Sequence, residues 1–119
     1  MKKVNKIVNL TPETIRIINE HDELIEIEPS GLVVEINEHE TYNNIVNGIV
    51  TLDKDISEVI NLPEKIDDNT LYIVPFKVKI TKKLRRDERF ATPDTKIGVI
   101  TKNGKIFAVK YLITYINLS

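Results

Sequence analysis

The sequence predicts a small α+β protein in which antiparallel β-structure predominates, as a hairpin meander, a sandwich or a small barrel, with one short helix around residues 75–84. Three observations support this class. Apolar and polar residues alternate in short segments, turn-forming residues separate those segments, and 119 residues are the usual size of one domain. With 41% hydrophobic residues one core is feasible, so residues 1–119 are expected to form a single domain.

Alternation in the first forty residues predicts a meander of hairpins. It occurs around residues 15–19, 24–28 and 32–36. The connecting sequences, Asn19-Glu20-His21-Asp22 and Pro29-Ser30-Gly31, are rich in residues that stabilise turns.

Two Asn-Gly pairs predict tight hairpin turns, because both central positions of such a turn favour a positive φ. Asn47-Gly48 lies between β-branched residues, and Asn103-Gly104 joins residues 97–101 to residues 106–109. The β-prone residues 111–116 could form a final strand or an edge that a second subunit buries. So small a domain cannot easily cover that edge, and we therefore expect a homo-oligomer.

Residues 71–84 begin as a buried strand and then allow two interpretations. Beyond Pro75, apolar residues alternate at positions 76, 78 and 80, as in a strand. They also recur at positions 76, 80 and 84, as on one face of a helix, and Pro75 suits a first helical turn. Residues 87–95 are predicted to be a loop.

The absence of cysteine excludes disulfides, a thiol nucleophile and thiolate metal sites, and it fits a reducing compartment. The cytoplasm of the host cell is therefore the expected location. The apolar stretch behind the basic start breaks at Asn9, Thr11 and Pro12, which makes it too short for a signal peptide. No window approaches the roughly eighteen apolar residues of a membrane span, so no membrane partner is expected.

The net charge of −1 conceals a division between two halves. Residues 1–68 hold six basic and fifteen acidic residues, a net −9, whereas residues 69–119 hold eleven basic and three acidic residues, a net +8. This division predicts either contact between the halves or two poles that address different partners.

Several short sequence motifs occur along the chain in an order that is typical of one group of proteins. They are Val8-Asn9-Leu10-Thr11-Pro12, Pro29-Ser30-Gly31, Leu62-Pro63, Thr70-Leu71-Tyr72-Ile73-Val74, Arg86-Asp87, Pro93-Asp94-Thr95 and Asn103-Gly104-Lys105-Ile106. The chain thereby resembles small phage and prophage proteins that begin with a Val-Asn-Leu-Thr-Pro-His phrase. The resemblance implies a phage or mobile-element origin and favours a helix in residues 75–84. Glu13 stands where the phrase has His, so any role of that imidazole is absent.

Basic residues concentrate in residues 77–89, which makes this segment the candidate anion site. The planar fork of an Arg side chain matches phosphate or carboxylate with two hydrogen bonds. Phe90 could stack on a base, and the polar side chains beyond it could contact a ribose. The candidate ligand-binding residues are Lys82, Lys83, Arg85, Arg86, Arg89, Phe90, Thr92, Asp94 and Thr95. The alternative is a solvated face that the acidic half neutralises.

Sequence motifs for catalysis, cofactors or metals are missing. His21 and His39 each lie between acidic residues and are interpreted as turn histidines in an acidic surface. Asp53, Asp55 and Glu58 begin a calcium-loop pattern that lacks its central Gly and closing Glu. We therefore expect no cofactor and no metal.

These observations predict a non-catalytic phage or mobile-element accessory protein that binds an anionic small molecule, such as a nucleotide-derived immune signal of the host. The alternative is a protein–protein interaction module that regulates a host protein through its acidic face or C-terminal edge strand. An enzyme acting on nucleotides has only plentiful carboxylates in its favour. Nucleic acid is not an expected partner, because the acidic half would repel it.

Overall fold

The computed structural model describes residues 6–117 and, at residues 39, 41 and 53–57, the backbone alone. In chain order the elements are β1 (Lys6–Asn9), β2 (Ile15–Ile18), β3 (Leu24–Ile27), β4 (Glu35–Val46), β5 (Ile49–Ile60), β6 (Thr70–Ile73), α1 (Phe76–Lys79), β7 (Phe90–Pro93), β8 (Val99–Lys102), β9 (Lys105–Val109) and β10 (Leu112–Ile113). The predicted small α+β class is confirmed, with one short helix and mostly antiparallel small sheets. No sheet closes into a barrel within residues 6–117.

The first sheet has the strand order β1-β6-β7-β10. β6 pairs in parallel with β1 and with β7, and β10 runs antiparallel to β7. Parallel neighbours need a crossover connection, which α1 and the turns after it supply between β6 and β7. Ile73 and Val74 are fully buried, so the predicted buried strand in residues 71–74 is confirmed.

The second sheet has the order β3-β2-β9-β8 and consists of two hairpins. β2 pairs with β3 and β8 with β9, and a parallel contact between Ile17 and Val109 joins the hairpins. Asn103 and Gly104 have φ values of 55° and 75°, as expected for the predicted Asn-Gly turn. That prediction is confirmed.

The third sheet is a long two-stranded hairpin of β4 and β5, each with twelve residues. Its turn is the second predicted Asn-Gly pair, with φ values of 50° at Asn47 and 79° at Gly48. Twelve residues of strand extend about 40 Å. The radius of gyration, 16.7 Å, exceeds the value of about 13.5 Å for a compact domain of this length. The hairpin therefore stands out from the body.

The core lies where the first sheet, α1 and the base of the hairpin meet. Ile36 and Val59, at that base, pack against the core. The Tyr72 and Phe90 rings stack with their centroids 5.3 Å apart. The buried cluster comprises Leu10, Val34, Tyr72, Val74, Val78, Leu84 and Phe90.

A buried amide organises the segment after β1. Asn9 donates to the carbonyl oxygens of Glu13 (2.7 Å) and Ile27 (3.0 Å), and its side-chain oxygen accepts from the backbone N–H (2.9 Å) and hydroxyl (2.7 Å) of Thr11. Leu10 enters the core between these polar residues. The phrase from Val8 to Pro12 therefore has a structural role in this chain.

Three expectations are wrong in detail. Residues 32–34 are not a strand, because Val34 is buried in the core and its N–H binds the Leu10 carbonyl at 3.0 Å. Residues 87–95 are not a loop throughout, since β7 pairs with both β6 and β10. The β-prone residues 111–116 form a strand only at Leu112–Ile113.

The helix also is shorter than the predicted residues 75–84. Pro75 is extended, and helical geometry ends at Ile80, after which the chain forms turns. The Thr81 hydroxyl donates to the Val78 carbonyl at 2.8 Å, which satisfies one carbonyl at the end of the helix.

Candidate functional site

The predicted anion site does not come together as one surface. Four of its nine residues lie on the turns after α1, and we call them the basic turn: Lys82, Lys83, Arg85 and Arg86. Lys82, Lys83 and Arg86 are exposed and Arg85 is half-buried. Arg86 donates to the side-chain oxygen of Asn117 at 3.2 Å. Among the described side chains, no carboxylate forms an ion pair with the basic turn.

A buried lysine, Lys79, forms hydrogen bonds with the backbone of the basic turn. Lys79 is completely buried, and its ammonium donates to the carbonyl oxygens of Leu84 (2.8 Å), Asp87 (2.9 Å) and Thr114 (2.7 Å). Burial lowers the pKa of Lys79 from its ordinary value of 10.5 to about 8, against the opposing influence of the carboxylates of Asp87 and Glu88. This side chain therefore holds the turn and the C-terminal segment together and is not presented to a ligand.

Arg89 forms hydrogen bonds with two carboxylates. It donates to both oxygens of Asp87, at 3.0 and 2.8 Å, and to Asp68 at 3.1 Å. Hydrogen bonds from Arg89 lower the pKa of Asp87, and the same hydrogen bonds raise the pKa of Arg89. An incoming anion would have to displace these carboxylates, which argues against Arg89 as a ligand-binding residue.

The residues of β7 and its C-terminal end do not present the predicted contacts. Phe90 is buried against Tyr72, so its ring cannot stack on a base. Thr92 is buried, and its hydroxyl has no hydrogen-bond partner among the described residues. Asp94 accepts the backbone N–H groups of residues 96 and 97, at 2.9 and 3.1 Å, which lower its pKa. Thr95 is exposed and remains compatible with ligand contact.

An exposed apolar feature lies at the end of the β4–β5 hairpin. The hairpin tip, residues 42–52, contains no charged residue. Tyr42 is 81% exposed and Ile45 and Ile49 are each 67% exposed. Val46, Val50 and Leu52 are also exposed. Contiguous exposed apolar side chains mark interaction surfaces more often than single ones do.

The register of the tip gives it two apolar faces. Ile45 pairs with Val50, and Val46 pairs with Ile49 on the opposite face. On the first face, an open groove of about 440 Å³ runs along residues 42–45 and Val50. A shift in strand register between Tyr42 and Asn44 lies beside this groove, and such irregularities change the direction of the strand.

The rest of the hairpin is acidic. The hairpin shaft, residues 35–41 and 53–60, contains six acidic residues and one basic residue, a net −5. At its base, Glu35 pairs with Ile60 and Asn37 with Glu58, so Glu35 and Glu58 share the face opposite Ile36 and Val59. Both carboxylates are exposed. The hairpin is thus an acidic arm with an apolar end.

The two histidines lie in different elements. His21 is exposed and lies 3.5 Å from Glu20. His39 lies on β4 and not in a turn, and its side chain is outside the described part, as are those of Asp53 and Asp55. Among the described side chains, no group of three potential metal ligands comes together.

Comparison with protein-family models, with curated proteins and with solved structures found no match. Within residues 6–117 no helix has the length and hydropathy to span a bilayer. The resemblance to phage and prophage proteins stays a prediction.

Sequence reasoning missed the hairpin tip as a candidate site. The available signal was the run of uncharged, β-branched residues around Asn47-Gly48, bounded on both sides by acidic residues. Such a run indicates a buried hairpin equally well. The structure distinguishes an exposed hairpin from a buried one, because β4 and β5 form a two-stranded sheet with no third strand beside it in the described chain.

Proposed function

We propose that the protein is a non-catalytic binding module that docks onto another protein through the β4–β5 hairpin. The observation that supports this most is the hairpin tip, where exposed apolar side chains fill an uncharged end of an arm that stands out from the body. In water, an isolated two-stranded hairpin is at best marginally stable, so a partner that covers the tip also stabilises the arm.

Burial of the apolar tip alone would give only a small net free energy of binding, so a second interaction is needed for a stable complex. Completing the burial of a half-exposed Ile or Val contributes about 1 kcal/mol. The six exposed apolar side chains of the tip give a total near the lower end of the roughly 4–15 kcal/mol that association loses in entropy. Attraction between the charged shaft and an oppositely charged partner would then increase both the association rate and the selectivity of binding. The partner is therefore a protein with an apolar pocket and a basic rim. A host protein and a second copy of the chain both fit this description.

Affinity capture with matched variants tests the proposal. In Ile45→Asp/Val50→Asp, two carboxylates replace the paired side chains on one face of the tip. We expect wild-type protein to recover a defined protein partner from its native cell, and this variant to recover at least tenfold less. The control, Leu24→Asp/Ile25→Asp, changes two apolar residues on β3 that are also exposed, though less so, and should retain the partner. Equal recovery by the tip variant and the wild type would overturn the proposal, provided that their melting temperatures agree.

The basic turn supports a second candidate function, the binding of an anionic small molecule such as a nucleotide derivative of host immune signalling. The favouring observation is that its cations lie together on one set of turns and form no ion pair with any described carboxylate, whereas Arg89 has two carboxylate partners. These four residues and Thr95 are the ones that could contact such a ligand, because Phe90 and Thr92 are buried. A phage protein that sequesters such a signal would need no catalytic group.

Thermal unfolding with a panel of cyclic nucleotides and ADP-ribose tests this candidate. A ligand that binds the folded chain at a hundred times its Kd stabilises it by about 2.7 kcal/mol, which raises the melting temperature by several degrees. We expect Lys83→Ala/Arg86→Ala to remove the shift and the Asp-substituted tip variant to keep it. No shift with any member of the panel would contradict this function.

A further inference from the structure

The β4–β5 hairpin leaves the outer edge of each strand without a neighbour in the described chain. Such an edge carries backbone N–H and C=O groups that readily pair with another chain, unless a bulge, a proline or a charged side chain interrupts it. The two edges differ in this respect at the tip. The difference indicates which of them is open to a second chain.

The edge of β4 is interrupted at the tip. Tyr42 pairs with Leu52 and Asn44 with Thr51, so Asn43 is an extra residue without a cross-strand partner. An extra residue of this kind bends its strand and disrupts the regular spacing of the backbone groups. β4 therefore presents no regular edge at the end of the hairpin.

The edge of β5 is regular over the same length. Its register continues without a shift from Ile49 to Ile56, and the other shift of the hairpin lies beyond it, between Ile56 and Glu58. Residues 49–52 contain neither a charged residue nor a proline. The features that protect an edge strand are thus missing from this stretch. We call the outer edge of residues 49–52 the tip edge.

We propose that two copies of the chain pair in antiparallel fashion along the tip edge, so that two hairpins form one four-stranded sheet. A two-fold axis perpendicular to the sheet relates the two strands, and directly opposite residues lie on the same face. Centred on Val50, the pairing places each Ile49 opposite a Thr51 and leaves every paired residue uncharged. The two shafts extend in opposite directions from this centre. Because the edge of β4 is interrupted, the contact closes a dimer and does not continue into a fibre.

This inference rests on the proposed function, because the dimer presents two tips to the docking partner. Ile45 and Val50 form one cross-strand pair, and Tyr42 and Leu52 form another on the same face. Rotation about the two-fold axis places this face of both copies on one side of the sheet, which doubles the apolar area that the partner meets. The pairing also gives each hairpin the further strands that an isolated two-stranded sheet lacks in water.

Disulfide cross-linking of single-cysteine variants tests the contact, because the natural chain contains no cysteine. Val50→Cys places one thiol of each copy beside the two-fold axis, so we expect mild oxidation to convert most of this variant into a covalent dimer. The control is Ile45→Cys, at the position that pairs with Val50 and is more exposed, 67% against 52%. In the proposed sheet the two copies of position 45 lie three strand spacings apart, about 14 Å. A disulfide cannot bridge that distance, so the control should remain a single chain.

Sedimentation velocity supplies a second measurement that needs no thiol. Thr51→Lys puts an ammonium on the tip edge, whereas Asn44→Lys puts it on β4, since Asn44 and Thr51 are a cross-strand pair. Each change adds one positive charge and removes one exposed side-chain hydrogen bond. We expect a wild-type dimer, at least tenfold weaker association of Thr51→Lys, and association of Asn44→Lys like that of the wild type.

Three results would overturn this inference. They are a wild-type monomer at every concentration, cross-linking of Ile45→Cys as efficient as that of Val50→Cys, and equal association of the two lysine variants. Failure of the dimer is distinct from failure of the proposed function. A monomeric wild type that still captures a different protein, and loses it with Ile45→Asp/Val50→Asp, leaves the docking role standing. A dimer that passes these tests and captures no protein keeps the tip contact and overturns the docking role.

Discussion

Single buried polar residues connect segments that are far apart in the chain. The Asn9 amide joins β1 to the end of β3 through the Ile27 carbonyl. The Lys79 ammonium joins α1 to the basic turn and to Thr114, thirty-five residues away. A buried carbonyl that loses its donor costs about 1–3 kcal/mol, so these two side chains contribute to stability through the groups they satisfy.

Replacement of Lys79 by Met should destabilise the protein in a pH-dependent way. The change keeps most of the side-chain volume but removes three hydrogen bonds. The carbonyls of Leu84 and Asp87 retain the backbone N–H groups of Asp87 and Phe90 as donors, whereas the Thr114 carbonyl loses the Lys79 ammonium, so we expect a loss of about 1–3 kcal/mol in the free energy of unfolding. The folded pKa of about 8 lies below the ordinary 10.5, so between these values the unfolded chain binds more protons than the folded chain. Stability from this group therefore rises with pH across that interval, and the deficit of the variant widens.

Urea unfolding at pH 7, 8.5 and 10 measures this effect. The exposed Lys82 provides the control, since Lys82→Met should unfold at the same urea concentration as the wild type at every pH. A Lys79→Met protein as stable as the wild type throughout would show that the three hydrogen bonds do not support the turn.

At the scale of elements, the junction between β8 and β10 depends on close contact of a glycine with a ring. Gly98 has a φ of 72°, and a Cβ at that position would lie 2.6 Å from the Tyr111 ring. The Gly98 carbonyl accepts from Lys110, and the Tyr111 carbonyl accepts from Asp94. This contact joins the second sheet to the end of the first.

Gly98→Ala should therefore be more destabilising than Gly104→Ala, although both positions have a similar positive φ. A Cβ at Gly104 meets no atom within 4 Å, so this control isolates the backbone contribution of about 1–2 kcal/mol for an L-residue at positive φ. The clash at Gly98 should add about 1–3 kcal/mol in urea unfolding monitored by circular dichroism. Equal losses in the two variants would contradict the account of the junction.

Elements determined by local chemistry were predictable from the sequence. Both Asn-Gly turns and the buried strand before Pro75 occur where the residues place them. The parallel pairing of β1 with β6 was not predictable, because its crossover spans four other strands and leaves no local pattern. For the same reason β7 was mistaken for a loop, since its pairing partners are remote. The involvement of Arg89 in the candidate anion site was unpredictable for the same reason: the Arg run is visible in the sequence, but the contact of Arg89 with Asp68 is not.

At the scale of the whole molecule, parts of the acidic and basic halves can be assigned to particular segments of the fold. The acidic half concentrates part of its charge on a hairpin shaft with an uncharged tip, and the basic half includes a segment, residues 96–111, without any acidic residue. The Arg89–Asp68 ion pair is an intramolecular link between the two halves, and the radius of gyration indicates that the hairpin extends from the body. The central claim is that the arm works in contact with another protein.

Photo-crosslinking inside the native cell tests that claim most directly. A photoreactive amino acid replaces Ile45 at the hairpin tip or, as the control, Leu24 on β3, which is also exposed. We predict that irradiation links position 45 to one defined protein in high yield and position 24 to none, with an adduct of twice the chain mass if the partner is a second copy. A tip probe that yields no adduct beyond the level of the control would contradict the docking role of the hairpin.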